Sequence, residues 1–125
     1  MAVYLSLIVE DDPELADIFD VTLASVGLET EIVRDGQKAL DRLAEIVPDI
    51  VLLDINLPHV SGLEILTQIK ADPRLTHTKV VVVTANPHAV TELDDEVDMV
   101  LIKPVGFQQT RDLFARLVQS MAPVA

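Results

Sequence analysis

The sequence predicts an α/β fold in which a parallel β-sheet is covered by helices on both faces. Strand-like apolar runs alternate with helical patterns along the 125 residues, which is typical of repeated βα units. Residues 50–53 are continuously apolar, as expected of a strand buried on both sides. Three of the runs end in charged residues, at Glu10, Asp54 and Lys103. The carboxyl ends of parallel strands meet at one edge, where open α/β sheets bind ligands.

The first strand and helix extend from residue 4 to residue 27. Residues 4–9 are predicted to form the strand, and Asp12 followed by Pro13 supplies a helix cap and a first-turn proline. Gly27 ends the helix. Its inward face is predicted to contain Leu15, Ile18, Phe19, Thr22, Leu23 and Val26.

The second and third units follow the same order. Residues 29–33 form the most polar strand candidate and are placed at a sheet edge. Asp35 caps the second helix, which Pro48 ends. The central strand, residues 50–53, leads through a loop to Ser61 and Glu64, a capping box that opens the third helix.

The last part of the chain is predicted to contain two more strands and two more helices. Residues 79–83 form the fourth strand and residues 97–102 the fifth. A short fourth helix begins at residue 86 and ends by residue 93. The last helix covers residues 106–121, with Phe107, Leu113, Phe114, Leu117, Val118 and Met121 facing inward.

Length and composition limit the function classes. We expect a single domain over residues 1–125, without an output domain. No apolar stretch approaches the roughly 20 residues of a membrane span, so no membrane association is expected. The absence of cysteine excludes disulfides and thiolate metal sites and fits a cytoplasmic protein. The net charge of −12 argues against a nucleic-acid partner.

Acidic residues meet at the carboxyl edge of the predicted sheet. Glu10 and Asp11 follow the first strand, and Asp54 closes the third. Crowded carboxylates repel one another, and a divalent cation relieves that repulsion. Mg²⁺ prefers such oxygen ligands, and Mn²⁺ is possible at the same site. The sequence therefore predicts a metal site that leaves positions open for phosphate oxygens.

Two further polar residues end neighbouring strands at this edge. Thr84 supplies a hydroxyl group after the fourth strand, and Lys103 supplies an ammonium group after the fifth. Each could bond one oxygen of a phosphoryl group carried by Asp54. Attack by a carboxylate on a phosphoryl donor is an established form of covalent catalysis, and positioning and charge neutralisation supply most of its rate.

Taken together, these residues resemble the CheY-like receiver domain of bacterial two-component response regulators. The resemblance covers essentially the whole chain, and five motifs occur in the family's order. They are Ile8-Val9-Glu10-Asp11-Asp12-Pro13, Val51-Leu52-Leu53-Asp54-Ile55-Asn56-Leu57-Pro58, Ser61-Gly62-Leu63-Glu64, Val83-Thr84-Ala85 and Lys103-Pro104.

The resemblance implies a flavodoxin-like, doubly wound sheet of five parallel strands in the order 2-1-3-4-5, with five helices. It implies Asp54 as the phosphoacceptor and Thr84 and Lys103 as phosphoryl contacts. The metal ligands would be Glu10, Asp11, Asp54 and the backbone carbonyl of Asn56. The Lys103–Pro104 peptide bond would be cis.

The sequence departs from the family at the switch position, three residues before the lysine. Many receivers carry Tyr or Phe there, whereas this chain has Val100. The segment from Thr84 to Lys103 is also shorter than usual. Both departures weaken the expectation of ordinary switching and leave the phosphorylation chemistry untouched.

The leading hypothesis is a phosphoacceptor that receives its phosphoryl group from a histidine kinase or a histidine phosphotransfer protein. It would not be a substrate-turnover enzyme, although self-phosphorylation and self-dephosphorylation with Mg²⁺ are expected. A downstream protein or a second copy of the chain would bind the face formed by the fourth helix, fifth strand and fifth helix.

Three alternatives stay open at this point. A pseudo-receiver would dock partners constitutively; Val100 lends this alternative some support, whereas the intact set of site residues argues against it: Glu10, Asp11, Asp54, Thr84 and Lys103. A metal-dependent phosphatase with an aspartyl nucleophile usually has a second acid where Asn56 stands. Flavin binding needs a hydroxyl- and glycine-rich loop after the first strand, where this chain has Glu10, Asp11 and Asp12.

Overall fold

The computed structural model describes residues 3–88, residue 93 and residues 97–121. Its parallel strands are β1 (Leu5–Val9), β2 (Glu29–Val33), β3 (Ile50–Asp54), β4 (Lys79–Thr84) and β5 (Met99–Ile102). The helices of these residues are α1 (Pro13–Ser25), α2 (Gly36–Leu43), α3 (Gly62–Ala71) and α4 (Phe107–Met121), with a 3₁₀ turn at Pro73–Leu75. The predicted short fourth helix lies largely outside the described residues.

The five strands form one sheet in the order β2-β1-β3-β4-β5, as predicted. All neighbouring pairs are parallel, and Ile8 of β1 lies opposite Ile32 of β2 and Leu52 of β3. The polar strand β2 is at one edge, and the apolar strand β5 is at the other. Parallel pairing places every strand's carboxyl end on the same side of the molecule.

Successive side chains of each strand enter two different cores, because they alternate between the faces of the sheet. Val51 and Leu53 pack with the residues of α2 and α3. Ile50 and Leu52 pack on the other face with α1 and α4, where Phe19 and Phe114 are the largest fully buried side chains. Helices therefore cover both faces, as the apolar run predicted.

The helix caps follow the sequence signals closely. The side chains of Asp12, Asp35 and Ser61 each accept a backbone N–H from the first turn of α1, α2 and α3, respectively. α2 ends at Leu43, before Pro48, and the chain continues through a tightened turn in which the N–H of Glu45 bonds to the carbonyl of Arg42, three residues earlier.

Two residues predicted to face inward are exposed instead. Ile18 of α1 and Phe107 of α4 each expose 45 % of their surface. Ile18 lies at the margin of the apolar face of its helix, and Phe107 is the first residue of α4, ahead of the buried Thr110 and Phe114. Periodicity alone does not resolve the margin of a helix face or its first turn.

Among the described residues, no helix has both the length and the apolar composition required to cross a membrane.

Candidate functional site

The predicted site residues meet at the carboxyl edge of the sheet. Glu10 directly follows β1, Asp54 and Thr84 end β3 and β4, and Lys103 follows β5. Glu10, Asp54 and Thr84 are buried, with at most 2 % of their surface exposed. Buried polar groups are rare without partners, so the contacts among these side chains define the site.

Three carboxylates form one cluster at the centre of this edge. Oxygen atoms of Glu10, Asp11 and Asp54 all lie within 4.8 Å of one another. Asp11 is exposed, whereas the other two are buried. Asp11 therefore gives the cluster an accessible side, and the three carboxylates lie close enough together to share one cation.

Lys103 is the cation that the chain itself supplies. Its Nζ donates a hydrogen bond to Oδ2 of Asp54 at 3.0 Å and lies 3.8 Å from Oε1 of Glu10. Burial lowers the pKa of Lys103, but the hydrogen bond to Asp54 and the charges of Asp54, Glu10 and Asp11 outweigh burial and raise that pKa above its usual value. One ammonium group is thus shared between two buried acids.

Glu10 is left incompletely satisfied by this arrangement. Its Oε2 accepts the backbone N–H of Asp12 at 3.2 Å, but its Oε1 is buried without a hydrogen-bond partner. Burial, followed by the neighbouring Asp54 carboxyl, raises the pKa of Glu10 to about 8, against the opposing effects of Asp12 and Lys103. A buried acid with a free oxygen atom beside two other acids fits a bound divalent cation.

Short loops after β3 and β4 hold the remaining groups. The backbone N–H of Asn56 donates to Oδ1 of Asp54 at 2.9 Å, so both oxygens of Asp54 accept a hydrogen bond. The hydroxyl oxygen of Thr84 accepts the backbone N–H of Asn86 at 3.1 Å. The hydroxyl hydrogen of Thr84 is not used in that bond and can be donated to another oxygen atom.

Three further predicted positions are the Lys103–Pro104 peptide bond, Val100 and Asp12. The Lys103–Pro104 peptide bond is cis. Val100 is half-buried in the edge strand β5, opposite Val82 of β4. Asp12 acts as the cap of α1, as predicted, and its backbone N–H also bonds to Glu10.

One feature of the site was missed by sequence reasoning. Gly36, at the start of α2, lies so close to Val60 that a β carbon at position 36 would be 2.3 Å from the Val60 carbonyl oxygen. The sequence identifies Asp35 as the cap of the second helix but does not single out Gly36. No sequence pattern indicates which loop a glycine approaches, because that contact is set by the packing of distant segments.

The family model of the response regulator receiver domain matches residues 6–115, which include every residue of the cluster. The chain belongs to this family.

Curated relatives of the receiver domain agree with this assignment. The chain is 32 % identical over 111 residues to the DNA-binding response regulator MtrA of Mycolicibacterium smegmatis, covering 89 % of this chain and 47 % of that protein. It is 43 % identical over 79 residues to the polar-differentiation response regulator DivK of Brucella anthropi, covering 63 % and 64 % of the two chains. The chain spans about half the length of the MtrA proteins that it matches.

Solved structures show the same fold. A CheY-like receiver domain from Methylobacillus flagellatus superposes with a TM-score of 0.83 at 29 % identity, covering 97 % of this chain and 100 % of that one. The receiver domain of a sensor histidine kinase from Pseudomonas aeruginosa, with a magnesium ion in its active site cleft, superposes with a TM-score of 0.82 at 25 % identity. That match covers 94 % of this chain and 99 % of the other.

Proposed function

We propose that this receiver domain accepts a phosphoryl group on Asp54 from a histidine kinase or a histidine phosphotransfer protein. The observation that supports the proposal most strongly is the position of Asp54, buried at the end of the central strand between two acids and the Lys103 ammonium group. A carboxylate held in this way is oriented by two hydrogen bonds, and the Lys103 ammonium group beside it can neutralise negative charge on the phosphoryl oxygens.

The transfer step forms one bond and breaks one bond. A carboxylate oxygen of Asp54 attacks the phosphorus atom of a phosphohistidine, and the P–N bond breaks as the O–P bond forms. The electron pair of the P–N bond returns to the imidazole nitrogen of the donor, and that nitrogen then takes up a proton. Lys103, whose Nζ bonds Asp54, and the hydroxyl of Thr84, which ends the adjacent strand β4, would each bond a phosphoryl oxygen.

Glu10, Asp11 and Asp54 would hold Mg²⁺ or Mn²⁺, with the backbone carbonyl of Asn56 as a further ligand. The buried Oε1 of Glu10, which has no hydrogen-bond partner, supports this fit. A bound cation supplies positive charge next to the phosphoryl oxygens. The magnesium ion in the Pseudomonas receiver domain gives the proposal further support.

Intact mass spectrometry after incubation with acetyl phosphate and Mg²⁺ tests the phosphoacceptor role. We expect one phosphoryl group per chain, and removal of the metal by a chelator should prevent its addition. An unmodified mass under these conditions would favour the alternative of a pseudo-receiver that docks partners without phosphorylation.

The surface for the phosphodonor is proposed to lie on α1. Glu14, Asp17, Ile18 and Val21 have the spacing of one helix face and are all exposed. A cavity of about 440 Å³ lies beside this face and is lined by Leu15, Ile18 and Pro104 as well as Lys103. The chain contains no lysine or arginine before Arg34. The complementary partner surface would carry apolar side chains flanked by basic ones.

Replacement of Ile18 by glutamate tests that surface. We expect phosphoryl transfer from a histidine kinase that labels the wild-type chain to slow about tenfold, because an apolar anchor is lost and like charge is added. Labelling by acetyl phosphate should not change. Val47→Glu is the matched control, since Val47 is also an exposed apolar residue but precedes β3 at the opposite edge of the sheet. Equal kinase rates for both variants would contradict the assignment.

The downstream partner or second copy is proposed to bind the face formed by β5 and α4, together with the predicted short helix before β5. Val100 has no ring to reorient, so the response must begin elsewhere. Thr84 is linked to Asn86, and the Asn86 side chain accepts the N–H of His88. Any movement of the Thr84 hydroxyl towards a phosphoryl oxygen would therefore disturb this loop first.

Amide hydrogen exchange with and without beryllofluoride and Mg²⁺ tests this route. We expect the largest changes in protection at residues 85–88 and onward to Val100. Changes confined to the loop after Asp54, with residues 85–100 unaffected, would show that the route is wrong.

A further inference from the structure

Two glycines pack so closely against the loop of residues 55–61 that neither has room for a side chain. A β carbon at Gly62 would lie 2.5 Å from the Asp54 carbonyl oxygen and 2.6 Å from Cα of Ile55. A β carbon at Gly36 would lie 2.3 Å from the Val60 carbonyl oxygen and 2.7 Å from its Cβ. The backbone of α2 therefore lies directly against the far end of the loop that leaves the candidate phosphoacceptor.

The loop has an unfavourable backbone conformation next to that contact. His59 has a φ of +67°, in the left-handed region that residues with a β carbon rarely adopt. Such a conformation persists only where surrounding structure holds it in place. Val60, the next residue, is the one against which Gly36 packs.

The other end of the loop contacts Asp54 directly. The N–H of Asn56 donates to Oδ1 of Asp54, and the N–H of Gly62 donates to the carbonyl of Ile55 at 3.1 Å. The Gly62–Ile55 hydrogen bond thus joins the two ends of the loop, so a shift of residue 60 must be accommodated by the few residues between them. The Asn56 peptide is one of these.

α2 is itself fixed at both ends, by a cap at its start and by an ion pair with the sheet in its last turn. The Asp35 side chain caps it by accepting the N–H of Lys38 at 2.8 Å. Further along the helix, Arg42 bonds both carboxylate oxygens of Glu31 in β2, at 2.6 and 3.0 Å. A helix held in this way can support a strained loop rather than yield to it.

We propose that Gly36 is a positioning residue for the phosphoacceptor. By letting the backbone of α2 support Val60, it keeps the His59 turn closed and the Asn56 peptide aligned with Asp54. This inference rests on the proposed role of Asp54. It goes beyond that role, because it concerns a residue of α2 that packs against Val60 of the loop.

Gly36→Ala tests the proposal, with Gly106→Ala as the matched control. Both glycines lie at the start of a helix, but a β carbon at position 106 would meet only Cβ of Gln109, at 4.0 Å. Two readouts are needed: the rate of labelling by acetyl phosphate with Mg²⁺, and the position of the Asn56 amide signal in ¹H–¹⁵N spectra of the metal-free protein. Both are measured at a temperature at which circular dichroism shows each variant to be folded.

We expect Gly36→Ala to slow labelling about tenfold or more, since sub-ångström to ångström misplacement of a reacting group has effects of this size. The Asn56 signal should shift, and Gly106→Ala should change neither readout. A merely structural role would lower the melting temperature without moving the labelling rate or the Asn56 signal. Wild-type values of both readouts in folded Gly36→Ala would overturn the proposal.

Val60→Gly provides a second test if Gly36→Ala does not fold. It removes the β carbon that faces Gly36 and leaves α2 intact, so labelling should again slow and the Asn56 signal should shift. An unchanged rate with an unchanged signal would overturn the proposal. If the wild-type chain is not labelled at all, the proposed function fails, and the Asn56 signal alone still decides the positioning role.

Discussion

Asp54→Asn is expected to abolish the addition of a phosphoryl group. The asparagine amide has nearly the same shape as the carboxylate and can occupy the same place at the end of β3, but it has no ionised oxygen atom to attack phosphorus. Intact mass after incubation with acetyl phosphate and Mg²⁺ should show the unmodified chain alone, whereas the wild-type chain gains one phosphoryl group.

Asp12→Asn is the matched control for this experiment. Asp12 lies at the same edge of the sheet, but it is exposed and its side chain caps α1. Asparagine caps a helix about as well as aspartate, so the control should be labelled like the wild-type chain. Undiminished labelling of Asp54→Asn would show that another residue is the phosphoacceptor.

The five strands and the four helices α1 to α4 could be predicted from the sequence because each of them has a local signal. Apolar runs of strand length marked the sheet, and Asp12, Asp35 and Ser61 marked three helix starts, all of which are observed as caps. The exposure of Ile18 and Phe107 could not be predicted in the same way. Whether a residue at the margin of a helix is covered depends on which element packs beside it, and periodicity does not contain that information.

The grouping of the site residues could also be predicted, because parallel strands place their carboxyl ends at one edge. The distribution of hydrogen bonds among these residues could not be predicted. Asp54 accepts hydrogen bonds at both oxygens, whereas Oε1 of Glu10 has no hydrogen-bond partner. This inequality depends on where the Lys103 side chain lies, and several equally acceptable placements are compatible with the sequence.

Because Oε1 of Glu10 is buried without a hydrogen-bond partner, Glu10→Gln is the second variant for which we expect a large effect, in this case on stability. The pKa of Glu10 is raised from 4.5 to about 8, so the folded state binds this proton more tightly than the unfolded state. The stabilisation from the bound proton is fully present below about pH 4.5 and is lost as the pH rises towards 8. Above that pH, the ionised Glu10 adds a negative charge beside the Asp54 and Asp11 side chains, and Lys103 is the neighbouring cation.

Glutamine at position 10 removes the charge and can donate its amide hydrogens to the Asp54 carboxylate. We therefore expect the metal-free Glu10→Gln variant to melt several degrees above the wild-type protein at pH 8.5, with about 4 °C for each kcal/mol gained. The difference should shrink towards pH 5, where Glu10 carries a proton in the wild-type protein. Asp54→Asn should give a smaller gain, because it relieves the same repulsion but also removes the partner of Lys103.

Thermal melts at both pH values, with and without Mg²⁺, test this expectation. Mg²⁺ should raise the melting temperature of the wild-type protein more than that of Glu10→Gln, since a cation that binds only the folded state stabilises it and the variant lacks one of the ligands. Glu29→Gln, at an exposed position of the edge strand β2, is the control and should follow the wild-type melts at both pH values. If the Glu10→Gln advantage were the same at pH 5 and pH 8.5, it would not come from the charge of Glu10, and the crowded-carboxylate account of this site would be wrong.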